Sequence, residues 1–320
     1  MPGKNHKSGN AWTTPDLNGQ VAVVAGASRG AGRGMALALG DTGAAVYVTG
    51  RTVRGGPKPF DDAPGTIEDT AEEVTRRGGR GIPVWVDHSI EADVAALFDR
   101  VEKEQGRLDI LANGVWGSSQ QSYDQFFRKE HRPFWELPSV GWQEAIMAGA
   151  YAHLLASQHA ARLMAPRRKG LIVSVTEPND DGGGSLFWLF HTIGHRCINR
   201  MAAAMRSDLG KHNIAIVALA PGFMRTERVL MGLEKLTEEA REKMKQTYRF
   251  DKSESTEYVG RAVAALAADP DVLRFSGKLV HVGDLARKYG FRDTDGRQPH
   301  FLQEVLKKMF PEKSTGRKKK

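Results

Sequence analysis

The sequence predicts an α/β fold: a doubly wound parallel sheet of about seven strands, flanked by helices in a three-layer sandwich. Two observations carry this expectation. Short apolar runs alternate with helix-period segments along most of the chain, and a glycine-rich turn joins the first run to the first helix. Composition permits the fold: 320 residues suffice for one large domain, and 40% hydrophobic with 26% charged residues is ordinary for a globular chain.

The elements follow in order. Val21-Ala-Val-Val-Ala is a β-branched run bounded by glycine, the pattern of a strand buried on both faces. A helix carrying Met35-Ala-Leu-Ala-Leu comes next, then the strand Ala45-Val-Tyr-Val-Thr and a loop of Gly, Pro and charge over 52–65. Helix 66–77, strand 82–86, helix 91–105 and the strand Leu108-Asp-Ile-Leu-Ala continue the alternation. A long helix over 139–164, the strand Gly170-Leu-Ile-Val-Ser-Val, a helix over 189–210 and the strand Ile214-Ala-Ile-Val-Ala-Leu complete the centre. Residues 223–250 read as mixed, with a charged helix at 237–247; a helix over 256–268 and the strand Lys278-Leu-Val-His-Val end the pattern. Right-handed crossovers wind such an order on both sides of one sheet.

The expected organisation is a disordered polar tail over 1–16, one domain over 17–300 and a basic tail over 301–320. The net charge of +8 sits mostly at the ends, with +1 in residues 1–16 and +6 in residues 307–320. The body is therefore almost neutral, and no nucleic-acid partner is expected. The first residues lack the apolar stretch of a signal peptide, and no apolar run is long enough to insert into a membrane. A single cysteine, Cys197, excludes an internal disulfide; with no thiol-activating motif beside it, it is expected to pack in its helix. The expected location is cytoplasmic.

The turn after the first strand reads Gly26-Ala-Ser28-Arg29-Gly30-Ala-Gly32. Glycines there let the backbone turn sharply and approach a pyrophosphate, while the following helix offers its N-terminal amides to the anion. This makes the sheet Rossmann-type and the expected cofactor a dinucleotide. An NAD-selective site places a carboxylate at the end of the second strand; here that strand ends Thr49-Gly50-Arg51. Arg51 and Arg29 suit a 2′-phosphate instead, so NADP(H) is expected over NAD(H).

The spacing Gly-x-x-x-Gly-x-Gly resembles the short-chain dehydrogenase/reductase family, and further segments agree with it in order. Asp87 stands at the family's adenine-contacting position, and Asn113 matches the first Asn of its Asn-Asn-Ala-Gly segment. Pro221-Gly222-Phe-Met-Arg-Thr226 matches its Pro-Gly motif, whose Thr touches the nicotinamide amide, and Phe275-Ser-Gly-Lys-Leu-Val-His-Val its last strand. The resemblance covers residues 17–284, and Pro133-Phe-Trp-Glu with the segment from Asp284 to Arg297 is most similar to the dehydrogenase/reductase member 1-like branch. It implies a single catalytic domain, a small-molecule substrate and a homodimer or homotetramer built on the helices at 139–164 and 189–210.

The family's catalytic residues are not retained. The resemblance implies a Ser, a Tyr-x-x-x-Lys pair and a helical Asn; His191 and His195 stand at the Tyr and Lys positions, Thr176 or Glu177 at the Ser position and Gly149 near the Asn position. Three readings stand. In the first, the chain reduces a carbonyl, imine or activated alkene with His191 as general acid, Glu177 or Thr176 orienting it or polarising the substrate. A histidine ionises near ~6.5 and needs no neighbouring lysine to work at neutral pH, and His195, one helical turn on, is free to bond the cofactor ribose. In the second, the site is a non-catalytic dinucleotide sensor. In the third, the histidines and Glu177 perform non-redox acid–base work, as in a cyclase or dehydratase. An i, i+4 histidine pair is also compatible with metal binding or with plain packing. Trp116, Phe126, Phe127, Phe134, Trp135 and Trp142 follow the fourth strand, and Trp188 and Phe190 flank His191, which fits an aromatic substrate or a small local core.

Overall fold

The computed structural model describes residues 12–57, 59, 62–117, 133–177 and 189–306. Seven strands form one parallel sheet in the order β3-β2-β1-β4-β5-β6-β7. They are β1 (Val21–Ala25), β2 (Ala45–Gly50), β3 (Arg80–Trp85), β4 (Ile110–Asn113), β5 (Gly170–Val175), β6 (Ile214–Ala220) and β7 (Leu279–His281). Ala25 of β1 lies beside Thr49 on one side and Asn113 on the other. The strand order reverses there, and a doubly wound sheet opens its ligand crevice at that reversal.

The central strands alternate between two cores. Ala22 and Val24 face the core shared with α1 (Gly30–Gly40) and α2 (Ile67–Arg76). Val21 and Val23 face the other, with Phe98 of α3 (Glu91–Gln105) and Leu155 and Ala156 of the long helix α4. Burial on both faces is why these strands read as continuous apolar runs. Helix α4 is α-helical over Val140–Trp142, π-helical over Gln143–Tyr151 and α-helical again over Ala152–Met164. A π-helical segment widens the helix, and such segments concentrate at functional sites. Helix α5 (Leu189–Gly210) packs beside it.

Several boundaries differ from the sequence expectation. Trp12, in the expected N-terminal tail, meets Phe291 edge-on at 5.5 Å. Phe301 and Val305, at the start of the expected basic tail, are buried with Phe223, Leu233, Met244 and Tyr248, and a helical turn spans Leu302–Leu306. Pairing with β2 starts β3 at Arg80, two residues early. The last strand stops at His281 because Val282, Leu285 and Ala286 form the buried stripe of a helix, Val282–Tyr289, that alternation alone does not reveal. A second unforeseen helix, α6 (Glu227–Glu234), precedes the expected charged helix at Glu238–Thr247.

The loop after β6 is held from beneath by Glu254. Its main-chain N–H donates to the Phe223 carbonyl at 2.8 Å, and its carbonyl accepts from Arg225 N–H at 2.8 Å. Burial pushes its carboxyl up to about 8, against the opposing effect of a hydrogen bond from the Gly222 backbone. In the unfolded chain the group ionises near its ordinary 4.5. The neutral acid therefore favours the folded state at low pH, and that contribution is lost as pH rises from about 4.5 to about 8. Denaturant unfolding of the wild type and Glu254→Gln at pH 5 and pH 8 tests this. The wild type should lose on the order of a few kcal/mol more than the variant between those values; parallel behaviour would contradict the assignment.

Candidate active site

The crevice begins with the glycine turn. Gly26 and Gly30 have φ of +75° and +59°, a region that costs other residues strain. A Cβ on Gly32 would lie 2.0 Å from the Gly26 carbonyl oxygen, so only glycine lets α1 start this close to the strand end. The cap residue Arg29 makes no side-chain cap bond. This cradle fits a dinucleotide pyrophosphate: bare backbone at a helix N-terminus.

The expected ribose-binding residues divide. Arg29 donates from Nε to the Pro64 carbonyl at 3.0 Å and from Nη2 to those of Ala63 and Gly65 at 3.3 and 2.9 Å. It also donates to Thr52 Oγ1 at 3.3 Å, so its guanidinium ties down the loop after β2. Arg51 keeps its side chain 60% exposed and pairs with Asp87 at 3.3 Å. Burial pushes the Asp87 carboxyl up, but bonds from Ser89 and the charge of Arg51 outweigh it and hold the group below its ordinary range. Ser28 is buried in the turn. Asn113 is fully buried and donates to Ser157 and Ser174, both at 3.4 Å, bracing β4 against α4 and β5. On the opposite rim, Thr226 caps α6 by accepting from Val229 N–H at 3.2 Å, and Pro221-Gly222 leads into it.

The histidine pair lies under an indole. His191 and His195 on α5 have ring centres 4.4 Å apart. Trp116, just past β4, stacks on His195 at 4.0 Å with planes 3° apart, and its ring centre is 5.0 Å from that of His191. Two glycines make room: a Cβ on Gly149 or Gly194 would come within 3.0 or 2.8 Å of the indole. His153 on α4 anchors the segment by donating from Nε2 to the Val115 carbonyl at 3.0 Å; burial holds its pKa at about 4, so it is neutral. Burial, then the charges of His191 and His153, hold His195 well below the ordinary histidine value. Its Nδ1 has no hydrogen-bond partner among the described residues. Only His191 of the pair has a carboxylate at hand: its Nδ1 is 3.8 Å from Glu177 Oε2, with side chains 21% and 10% exposed.

The structure thus brings His191, His195 and Glu177 together, and turns the Thr176 hydroxyl to the main chain of His195. Thr176 is buried and donates its hydroxyl to the His195 main-chain carbonyl at 3.2 Å, which secures α5 against β5. The aromatic residues do not form one cluster. Trp116 belongs to the histidines, Trp142 meets Phe190 edge-on at 6.4 Å, and Phe134 and Trp135 pair with each other while largely exposed. Phe126, Phe127 and Trp188 lie outside the described residues. Cys197 is half-buried in α5. Among the described residues, no group of three or more His, Cys, Asp or Glu is placed to hold a metal ion. Sequence reasoning missed the Trp116 stack; its only signal was glycine at both 149 and 194.

It also missed Glu227. The Gly30 N–H, first in α1, donates to Glu227 Oε2 at 2.7 Å. A carboxylate there competes with any phosphate for the same amide and the same helix end. Glu227→Gln should therefore bind a nicotinamide dinucleotide about three- to ten-fold more tightly by calorimetry. Unchanged or weaker binding would contradict the competition.

The family model for short chain dehydrogenases matches residues 20–234, a span that includes the glycine turn, the histidine pair and the loop after β6. The chain is 40% identical over 285 residues to dehydrogenase/reductase SDR family member 1 of Mus musculus, covering 88% of this chain and 85% of that one. Identity to the Homo sapiens protein of the same name is 38% over 288 residues, with 88% and 85% covered. Among solved structures, a short-chain dehydrogenase of Mycobacterium thermoresistibile superposes with a TM-score of 0.70 at 20% identity, covering 87% of this chain and 90% of the other. A 7α-hydroxysteroid dehydrogenase in complex with NADH and 7-oxo glycochenodeoxycholic acid gives 0.64 at 22% identity, with 88% and 96% covered. The chain belongs to the short-chain dehydrogenase family, whose members are oxidoreductases that bind a nicotinamide cofactor.

Proposed function

We propose that this chain is an NADP(H)-dependent oxidoreductase that reduces a carbonyl, imine or activated alkene, with His191 in place of the family tyrosine. The observation that carries the reading is the pairing of His191 with Glu177 at the crevice, 3.8 Å apart and partly open to solvent. A bound nicotinamide dinucleotide would supply hydride at C4 of its ring. The glycine turn, Asp87, Asn113, Pro221, Gly222 and Thr226 are the residues proposed to hold it. The preference for NADP(H) over NAD(H) rests on Arg51, exposed at the end of β2 where no carboxylate stands. Arg29, committed to loop carbonyls, adds positive charge there and holds Thr52 in place.

His191 is proposed to give the proton that balances the hydride. An imidazole can both donate and recover a proton. Glu177, 3.8 Å from its Nδ1, orients the ring. His195, buried under Trp116 and neutral, positions the indole and His191 and leaves the proton to its neighbour. The enzyme is proposed to be cytoplasmic and to assemble as a homodimer or homotetramer through α4 and α5.

A second reading, a dinucleotide-binding protein without turnover, is favoured by the same stack, because Trp116 covers the imidazole at the family's lysine position. The two are separated by NADPH turnover over a panel of carbonyls and imines. His191→Ala should lower kcat by about 10²- to 10⁴-fold and remove the fall in activity at high pH that comes from losing the donated proton, with dinucleotide affinity retained. Full activity of that variant at every pH would sink the assignment of His191. Cofactor binding with no turnover would leave the second reading.

A further inference from the structure

We propose that the substrate is an imine, held in its protonated, cationic form with Glu177 as the counter-ion. This rests on the reading that the site transfers hydride, and narrows its substrate class.

The first support is the character of Glu177. It lies two residues past the end of β5, and the intervening Thr176 is pinned by its N–H donating to the Leu219 carbonyl at 2.9 Å. Its side chain is only 10% exposed and faces His191. A carboxylate accepts hydrogen bonds and donates none. Reduction of a ketone builds negative charge on oxygen, which needs donors or cations around it. A buried carboxylate beside that oxygen opposes the step. With an imine the charge runs the other way: a neighbouring carboxylate favours the protonated nitrogen, and the protonated C=N accepts hydride more readily than the neutral one.

The second support is the aromatic rings near His191. The Trp116 ring lies 5.0 Å from that of His191, and Phe190, the residue before it, is edge-on to Trp142. Aromatic rings near the imidazole that pairs with this carboxylate add surface that organic cations favour. The two imidazoles beside it supply no competing fixed positive charge: His195 and His153 are buried and held neutral.

The step balances. His191 in its protonated form gives a proton to the imine nitrogen. The imine carbon then receives hydride from the reduced dinucleotide, and the two π electrons of the C=N bond move to nitrogen. The products are a neutral amine and the oxidised dinucleotide, and His191 regains a proton from water. In reverse, positive charge develops on an amine substrate beside Glu177, so the same carboxylate assists amine oxidation.

The test compares 3,4-dihydroisoquinoline with its ring analogue α-tetralone, using NADPH and wild type, Glu177→Gln and Glu177→Ser. Calorimetry of the tetrahydroisoquinolinium cation on the dinucleotide-loaded protein gives a readout apart from turnover. The wild type should favour the imine in kcat/KM by about a hundred-fold or more. Glu177→Gln should lower that ratio and the cation affinity about ten-fold or more, and Glu177→Ser should shift turnover toward the ketone. Equal or better use of the ketone by the wild type would overturn the inference and leave the hydride-transfer reading in place. Cation binding that needs Glu177, with neither compound turned over, would overturn the hydride-transfer reading and leave the cation site. Neither binding nor turnover would overturn both.

Discussion

Everything at the crevice depends on how closely α1 approaches the end of β1. A Cβ on Gly32 would overlap the Gly26 carbonyl, and one on Gly26 would come 2.9 Å from the Val115 Cα. That backbone contact joins three pieces at once: the first strand, the first helix and the segment beyond β4 that carries Trp116. It places a helix N-terminus at the point where the strand order reverses. Any side chain at Gly32 would push α1 away and close the space for an anion. The positive helix end is filled here by Glu227, a carboxylate from the far side of the crevice. The loop after β6, steadied below by Glu254 and capped by Thr226, thus meets the glycine turn across the mouth of the site.

Beyond that mouth, a single indole organises the histidine pair. Trp116 lies flat on His195 and near His191, in space left by Gly149 and Gly194. The two imidazoles, one turn apart on α5, consequently meet different environments. One is buried and neutral; the other shares a partly open edge with a carboxylate. Titratable pairs whose surroundings differ in this way take different roles. The π-helical stretch of α4 lies where Gly149 meets the indole, a local departure from regular helix that serves the same packing.

Much of this was legible in the sequence. The β-branched runs of β1 and β6 announced buried parallel strands, because burial on both faces demands continuous apolar residues. The glycine turn announced the dinucleotide crevice, because only glycine tolerates its backbone angles and contacts. The family resemblance, counted from Pro221-Gly222, names His191, His195 and Glu177. Their surroundings could not be read that way: the Trp116 stack joins residues 79 positions apart from His195, and the Gly30–Glu227 bond spans 197. Neither leaves a periodic trace. The helix after β7 was hidden because Val280 and Val282 read as one strand, although Val282 opens a helical stripe. Arg29 shows the converse limit. Its place in the turn indicated the ribose, while its hydrogen bonds go to the loop carbonyls of residues 63–65.

The central claim is that a dinucleotide occupies this crevice with its reactive ring toward the His191–Glu177 pair. A crystal structure of the complex with NADP⁺ measures this most directly. The account expects the diphosphate at the Gly30 N–H with Glu227 displaced, and C4 of the nicotinamide facing the space between His191 and Glu177. A diphosphate bound elsewhere, or a nicotinamide kept away from His191 by an unmoved Trp116, would contradict it.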